Sequence, residues 1–154
     1  MPAVLVSACL VGINSRYDGK ACPAPELLEQ LRRDGLHVIP VCPEQLGGMP
    51  TPRPPGEISI GDGRDVLAGR SRIINSEGAD VTRNHLRGAE EAVRLASLFG
   101  CSRAYLKEKS PACGVKTIKR GGATCVGMGV TAAALQAAGI VVTGVEPISP
   151  ASAR

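Results

Sequence analysis

"PELLEQLRRDGLHVIPVCPE", residues 25–44, joins a helical pattern to a strand pattern within a few residues. Pro25 suits the first turn of a helix, where its missing N–H costs no bond, and Gly35 suits the position just past the end. "HVIPVC" (37–42) follows at once, a short run rich in β-branched residues that predicts a buried strand. A helix that yields to a buried strand through one glycine is half of a βαβ unit. Outward from it, "AVLVSACL" (3–10), "RAYLKE" (103–108) and "IVVTGVE" (140–146) read as further buried strands. "DVTRNHLRGAEEAVRLASLFG" (80–100) carries Leu86, Ala89, Val93 and Ala96 on one helical face, and "VTAAALQAAG" (130–139) is a third helix closed by Gly139. Strands alternating with helices imply an α/β, three-layer Rossmann-like domain with a mostly parallel sheet of about four strands.

Residues 49–79 break this rhythm. They hold five glycines, four prolines and two short β-like pieces, which predicts an inserted hairpin or flap rather than a crossover helix. The remaining "PISPASAR" (147–154) reads as a frayed tail, so residues 1–154 are expected to form one domain with one insertion.

Composition narrows the function. The aromatics are two tyrosines and one phenylalanine, too few for a platform on which single-stranded nucleic acid stacks, and the net charge of +4 comes from 18 basic and 14 acidic residues spread along the chain. Nucleic acid is therefore not the expected partner; an anionic small molecule is compatible with that charge. No apolar run approaches the roughly 20 residues that cross a bilayer, and "MPAVLVSACLVG" lacks a charged leader, so the expectation is a cytoplasmic protein without a membrane segment. Six cysteines in such a chain need a reason other than disulfides, which belong to small secreted domains.

Three of the six answer to the strand pattern. Cys9 follows "VLVSA", Cys42 closes "HVIPV" and Cys113 stands a few residues past "AYLKE". In a parallel sheet the carboxyl ends of neighbouring strands meet at one crevice, where ligands bind. Three thiolates there leave an open position on a bound metal: a catalytic zinc, or one iron of an iron–sulfur cluster that normally takes four ligands. Cys22, Cys101 and Cys125 read as small buried hydrophobes. Glu44, two positions past Cys42, suits a general base or a carboxylate that orients water, and Ser110, three before Cys113, suits a proton relay. Each also has an ordinary reading, Glu44 as a solvated turn residue and Ser110 as a helix cap. Asp18 in "RYDGK" stands between a site role and an Asp–Gly turn, and Arg53 in "PTPRPP" between a contact to an anionic or carbonyl group of the substrate and a solvated loop charge. "GGATCVGMG" (121–129) reads as glycine-rich backbone leading into a helix N-terminus, or as a tight connection.

Taken together, "SACLVG", "RYDG", "CPEQLGGMPTPRPP", "GADVT", "KEKSPACG" and "GVTAAALQAAGI" resemble a bacterial family once labelled a domain of unknown function, the thiouracil desulfidase (TudS-like) family, over residues 3–146. The resemblance implies a [4Fe-4S] cluster on Cys9, Cys42 and Cys113, with Glu44 and Ser110 as the catalytic pair. It implies non-redox removal of sulfur from thiouracil or a related small-molecule thiolated base, giving uracil and sulfide. Two other readings stand beside it: a non-catalytic zinc- or cluster-binding protein, and a desulfidase of thiolated tRNA or nucleotides.

Overall fold

The computed structural model describes residues 2–147. In chain order the elements are β1 (Ala3–Ser7), α1 (Ala8–Val11), α2 (Pro25–Arg33), β2 (His37–Val41), α3 (Pro43–Leu46), β3 (Gly56–Ile58), α4 (Gly63–Leu67), β4 (Ile73–Asn75), α5 (Thr82–Leu98), β5 (Arg103–Lys107), β6 (Thr117–Arg120), β7 (Ala123–Val126), α6 (Val130–Ala137) and β8 (Val141–Val145).

The main sheet has the order β2-β1-β5-β8 with every pair parallel, as the apolar runs predict. β1 is buried along its whole length because both of its faces are covered. Val4 and Val6 pack with Leu10 of α1 and Leu31 of α2 on one side; Leu5 packs with Leu106, Ala96 of α5 and Leu135 of α6 on the other. The three layers are thus helix, sheet, helix. The chain leaves β1 toward β2 and then returns to the other side of β1 for β5, which puts a topological switch, and the crevice that goes with it, at the carboxyl ends of β1 and β5.

The 49–79 segment does contain the expected hairpin, β3 paired antiparallel with β4, but it is more than a flap. Between its strands lies α4, whose first turn is closed by a capping box between Asp62 and Asp65. Ile58, Val66 and Ile73 form a separate apolar cluster with Ala89 of α5, Ile118 of β6 and Val130 of α6. A second hairpin, β6 with β7, is a correction to the sequence reading of residues 121–129. Gly121 and Gly122, both at positive φ, form its two-residue turn rather than an approach to a helix. The helix N-terminus comes later, at Gly129, where a side chain would collide with the backbone of Ala112, so the tight-connection reading holds there.

Strand ends also shift. Ala8–Val11 turn into a single helical turn, so β1 stops at Ser7 and Cys9 lies on α1. Residues 148–154, most of the expected tail, lie outside the described residues. No helix among the described residues is long and apolar enough to cross a membrane.

A three-thiol cavity at the carboxyl edge of the sheet

Cys9, Cys42 and Cys113 line one cavity of about 670 Å³, together with Glu44, Arg53 and Ser110. Each thiol enters from the residue just past a strand or from the loop beyond it: Cys9 from α1 after β1, Cys42 from the junction of β2 and α3, Cys113 from the turn after β5. All six cysteines are free thiols. Cys101 lies in the core under α5 and α6, Cys22 is fully buried with its N–H donated to the Cys9 carbonyl, and Cys125 packs beneath the second hairpin; none of these three lines the cavity.

Burial sets the state of the thiols. It pushes Cys9 up to about 11, with the Lys107 ammonium opposing and Cys22 and Cys42 reinforcing. It also pushes Cys113 well above the usual thiol range, against the Ser7 hydroxyl that hydrogen-bonds to it and with the help of Cys9, Cys42 and Glu44. A thiol held neutral is a poor nucleophile, whereas a soft cation in the cavity supplies the charge that ionises it. The donor set of three reduced thiols facing one space therefore fits a thiolate-bound metal group. Among the described residues no three His, Cys, Asp or Glu side chains are grouped for a single metal ion.

Glu44 and Arg53 form a buried ion pair, Arg53 Nε donating to Glu44 Oε2 at 2.7 Å with the side chains 4% and 14% exposed. The other four guanidinium donors are also spent: Nη1 on the Pro50 carbonyl and Thr51 Oγ1, Nη2 on the Ser15 carbonyl at 2.8 Å and, weakly, on Cys42 Sγ at 3.9 Å. An arginine has five N–H groups, so none is left to meet a substrate. Nor is Arg53 a solvated loop charge. It ties Glu44 and Cys42 to the loop that follows α1, whose Ser15 carbonyl also accepts from the Cys42 thiol at 3.6 Å. Among the described residues Glu44 Oε1 takes no hydrogen bond.

The turn Cys42–Glu44 is seated by α5. Gly88 lies so close to the Pro43 carbonyl that a Cβ would stand 1.9 Å from its oxygen, which is why this helix carries a glycine in its middle. On the far wall Ser110 Oγ accepts the N–H groups of Ala112 and Cys113 at 3.1 and 3.0 Å. These bonds close a turn at residues 111–113 and not the helix that a capping serine would imply, and because they use lone pairs they leave the hydroxyl proton free to be given. Asp18 stands apart. It is absent from the cavity wall; its carboxylate accepts from the Lys20 N–H at 3.1 Å and pairs with Arg16 at 3.5 Å, the Asp–Gly turn reading.

Among the cavity residues that escape the sequence reading, three stand at strand ends. They are Ser7, Lys107 and Glu108, Ser7 accepting the Lys107 N–H and Lys107 Nζ pairing with Glu146 at 3.1 Å. Their signal was present: polar residues at the carboxyl ends of otherwise apolar strands face the crevice.

Comparison with known proteins bears on the fold and the family. A solved structure titled "[4Fe-4S]-dependent thiouracil desulfidase TudS" superposes with a TM-score of 0.80 at 38% identity, covering 94% of this chain and 91% of that one. YbbK of Bacillus subtilis (strain 168) is 41% identical over 139 residues, 88% of this chain and 91% of its own length. The family model described as 2-thiouracil desulfurase matches residues 4–146. With nearly its whole length matched, the chain belongs to the 2-thiouracil desulfurase family.

Proposed function

We propose that this protein is a desulfidase that removes sulfur from thiouracil or a related thiolated base by water, with a [4Fe-4S] cluster held by Cys9, Cys42 and Cys113. The reading is supported most directly by three reduced thiols on one cavity wall beside a carboxylate and a hydroxyl. When bound through only three thiolates, the cluster supplies one Lewis-acidic iron with a free position for the substrate's sulfur, which makes the attached carbon electrophilic.

The chain's own residues then manage the water. Glu44 accepts the proton of the attacking water at Oε1, while Arg53 holds Oε2 and fixes the plane of the carboxylate. Ser110, with its oxygen anchored by two backbone N–H groups, donates its hydroxyl proton to the reacting centre or positions the water beside it. Water adds its oxygen to the carbon, the carbon–sulfur bond breaks, and sulfide leaves without any change in oxidation state. Arg53 is a positioning residue for Glu44 here, and Asp18 shapes the loop that carries Arg16 and Tyr17 on the cavity wall. A cytoplasmic setting, where thiols stay reduced, suits such a site.

The test is anaerobic reconstitution. Wild-type protein is expected to bind about four irons per chain and to release sulfide from 2-thiouracil; Cys9→Ala, Cys42→Ala and Cys113→Ala are each expected to lose the cluster. Glu44→Gln is expected to keep the iron and lose turnover by about 100-fold or more. Iron bound without sulfide release points instead to a carrier, and one zinc per chain in place of iron overturns the assignment.

A further inference from the structure

Glu108 sits at the end of β5 with its side chain buried among backbone donors. Its Oε1 accepts from the N–H groups of Val115 at 2.8 Å, Lys116 at 3.0 Å and Thr117 at 3.2 Å, and from Thr117 Oγ1 at 3.4 Å; Oε2 accepts again from Lys116 N–H at 3.2 Å. Three consecutive backbone N–H groups on one carboxylate form a closed loop, residues 109–117, and this loop carries Ser110 and Cys113. Its other side is held by α6, whose leading N–H groups from Val130 and Thr131 reach the carbonyls of Pro111 and Ala112. At the loop's entrance Lys109 takes φ +69, a conformation that a side-chain-bearing residue adopts only when its surroundings demand it, and its N–H is bound to the Thr117 carbonyl. Space for the carboxylate is reserved by Gly144 of β8, where a Cβ would stand 2.0 Å from Glu108 Oε2.

We infer that Glu108 is a positioning residue for this site: its buried carboxylate pins residues 115–117, and through them sets Ser110 and Cys113 against the cavity. A carboxylate is suited to this because it offers only acceptors and carries the charge that shortens and strengthens N–H bonds. An amide of the same shape keeps an oxygen at the Oε1 place but carries no charge, and at the Oε2 place it turns an NH2 toward the Lys116 N–H. The inference rests on the roles proposed above for Ser110 and Cys113, but the loop's geometry can be tested without them.

Two variants separate a clamp from general stability: Glu108→Gln removes the charge, and Gly144→Ala displaces the carboxylate from outside the cavity. In metal-free protein both are expected to speed amide exchange at Val115 and Lys116, and alkylation of Cys113, by about tenfold, roughly the loss of one charge-assisted bond. Exchange in β1 and β2 should stay unchanged. In iron-loaded protein both are expected to lower kcat and to hasten iron loss to a chelator, with KM within about twofold of wild type. Unchanged exchange and alkylation at the loop overturn the inference. So does faster exchange with iron release and kcat unaltered in both variants, because the clamp is then structural alone. If wild-type protein takes up no iron, the desulfidase reading falls, and Cys113 alkylation in metal-free protein still decides the clamp.

Discussion

Arg53 shows how much one buried charge organises. With every donor engaged and its partner Glu44 largely covered, removing the guanidinium strands a carboxylate and the Ser15 and Pro50 carbonyls where they are mostly screened from solvent. Arg53→Ala is accordingly predicted to cost about 3–5 kcal/mol in urea unfolding, more than Glu44→Gln, which keeps an acceptor in place. His85, on α5 behind this pair, is buried, and its Nδ1 finds no partner among the described residues. Burial lowers its pKa, Glu44 opposes this and Arg53 adds to it. The folded protein therefore keeps the imidazole neutral while the unfolded chain takes up a proton below about pH 6.5. Stability is full above that value and declines as pH falls through it, at up to about 1.4 kcal/mol per pH unit until the folded-state pKa is reached. Urea melts between pH 7.5 and 5.5 should show this slope in the wild type and a shallower one in His85→Gln; equal slopes would remove His85 as the cause. None of this was legible from "RPP" or "RNHL", since a charge in a proline-rich loop reads as solvated or as facing a substrate until its cover is known.

At the scale of elements, the cavity is built by short pieces seated against long ones. α3 is a single turn, and it holds Cys42 and Glu44 in place because α5 admits the Pro43 carbonyl at Gly88. Gly88→Ala forces the two apart and is predicted to cost about 1–3 kcal/mol by overpacking, with iron uptake falling in the same variant. On the opposite wall the two hairpins are tied together: Glu57 of β3 accepts the N–H of Gly121 at 2.8 Å and of Gly122 at 3.4 Å, and Arg120 donates to the Ile58 and Gly61 carbonyls. Glu57→Ala is expected to raise amide exchange at Gly121 and Gly122 while leaving the melting temperature within a few degrees, since the tie is exposed and the apolar cluster beneath it is intact. The first hairpin was readable from its prolines and glycines. The second is equally marked, by Gly-Gly between "TIKR" and "ATCV", but Gly127 and Gly129 follow it within a few residues at the start of α6, and one glycine-rich run serves a hairpin turn and a helix start alike.

For the whole molecule, stability comes from a sheet covered on both faces, and Leu5 at its centre is the simplest probe: Leu5→Ala should cost about 2–5 kcal/mol. The cavity adds a second, conditional contribution. A group that binds only the folded chain at 100 times its dissociation constant contributes about 2.7 kcal/mol, so iron-loaded protein is predicted to melt about 5–10 °C above metal-free protein, and a chelator should reverse the gain. By itself the sequence determined the α/β class, the four strands of the main sheet, the three longer helices and the placing of Cys9, Cys42 and Cys113 beyond three strand ends, because apolar periodicity and Gly/Pro punctuation act between near neighbours in the chain. Only the tertiary structure decided that Arg53 pairs with Glu44, that the Asp18 carboxylate accepts from its own turn, that the inserted segment packs into a second apolar cluster with α5, β6 and α6, and that Glu108 binds the backbone of the Cys113 loop. Those outcomes depend on what packs over a polar group, and the covering residues come from segments 30 to 60 positions away as readily as from the next turn.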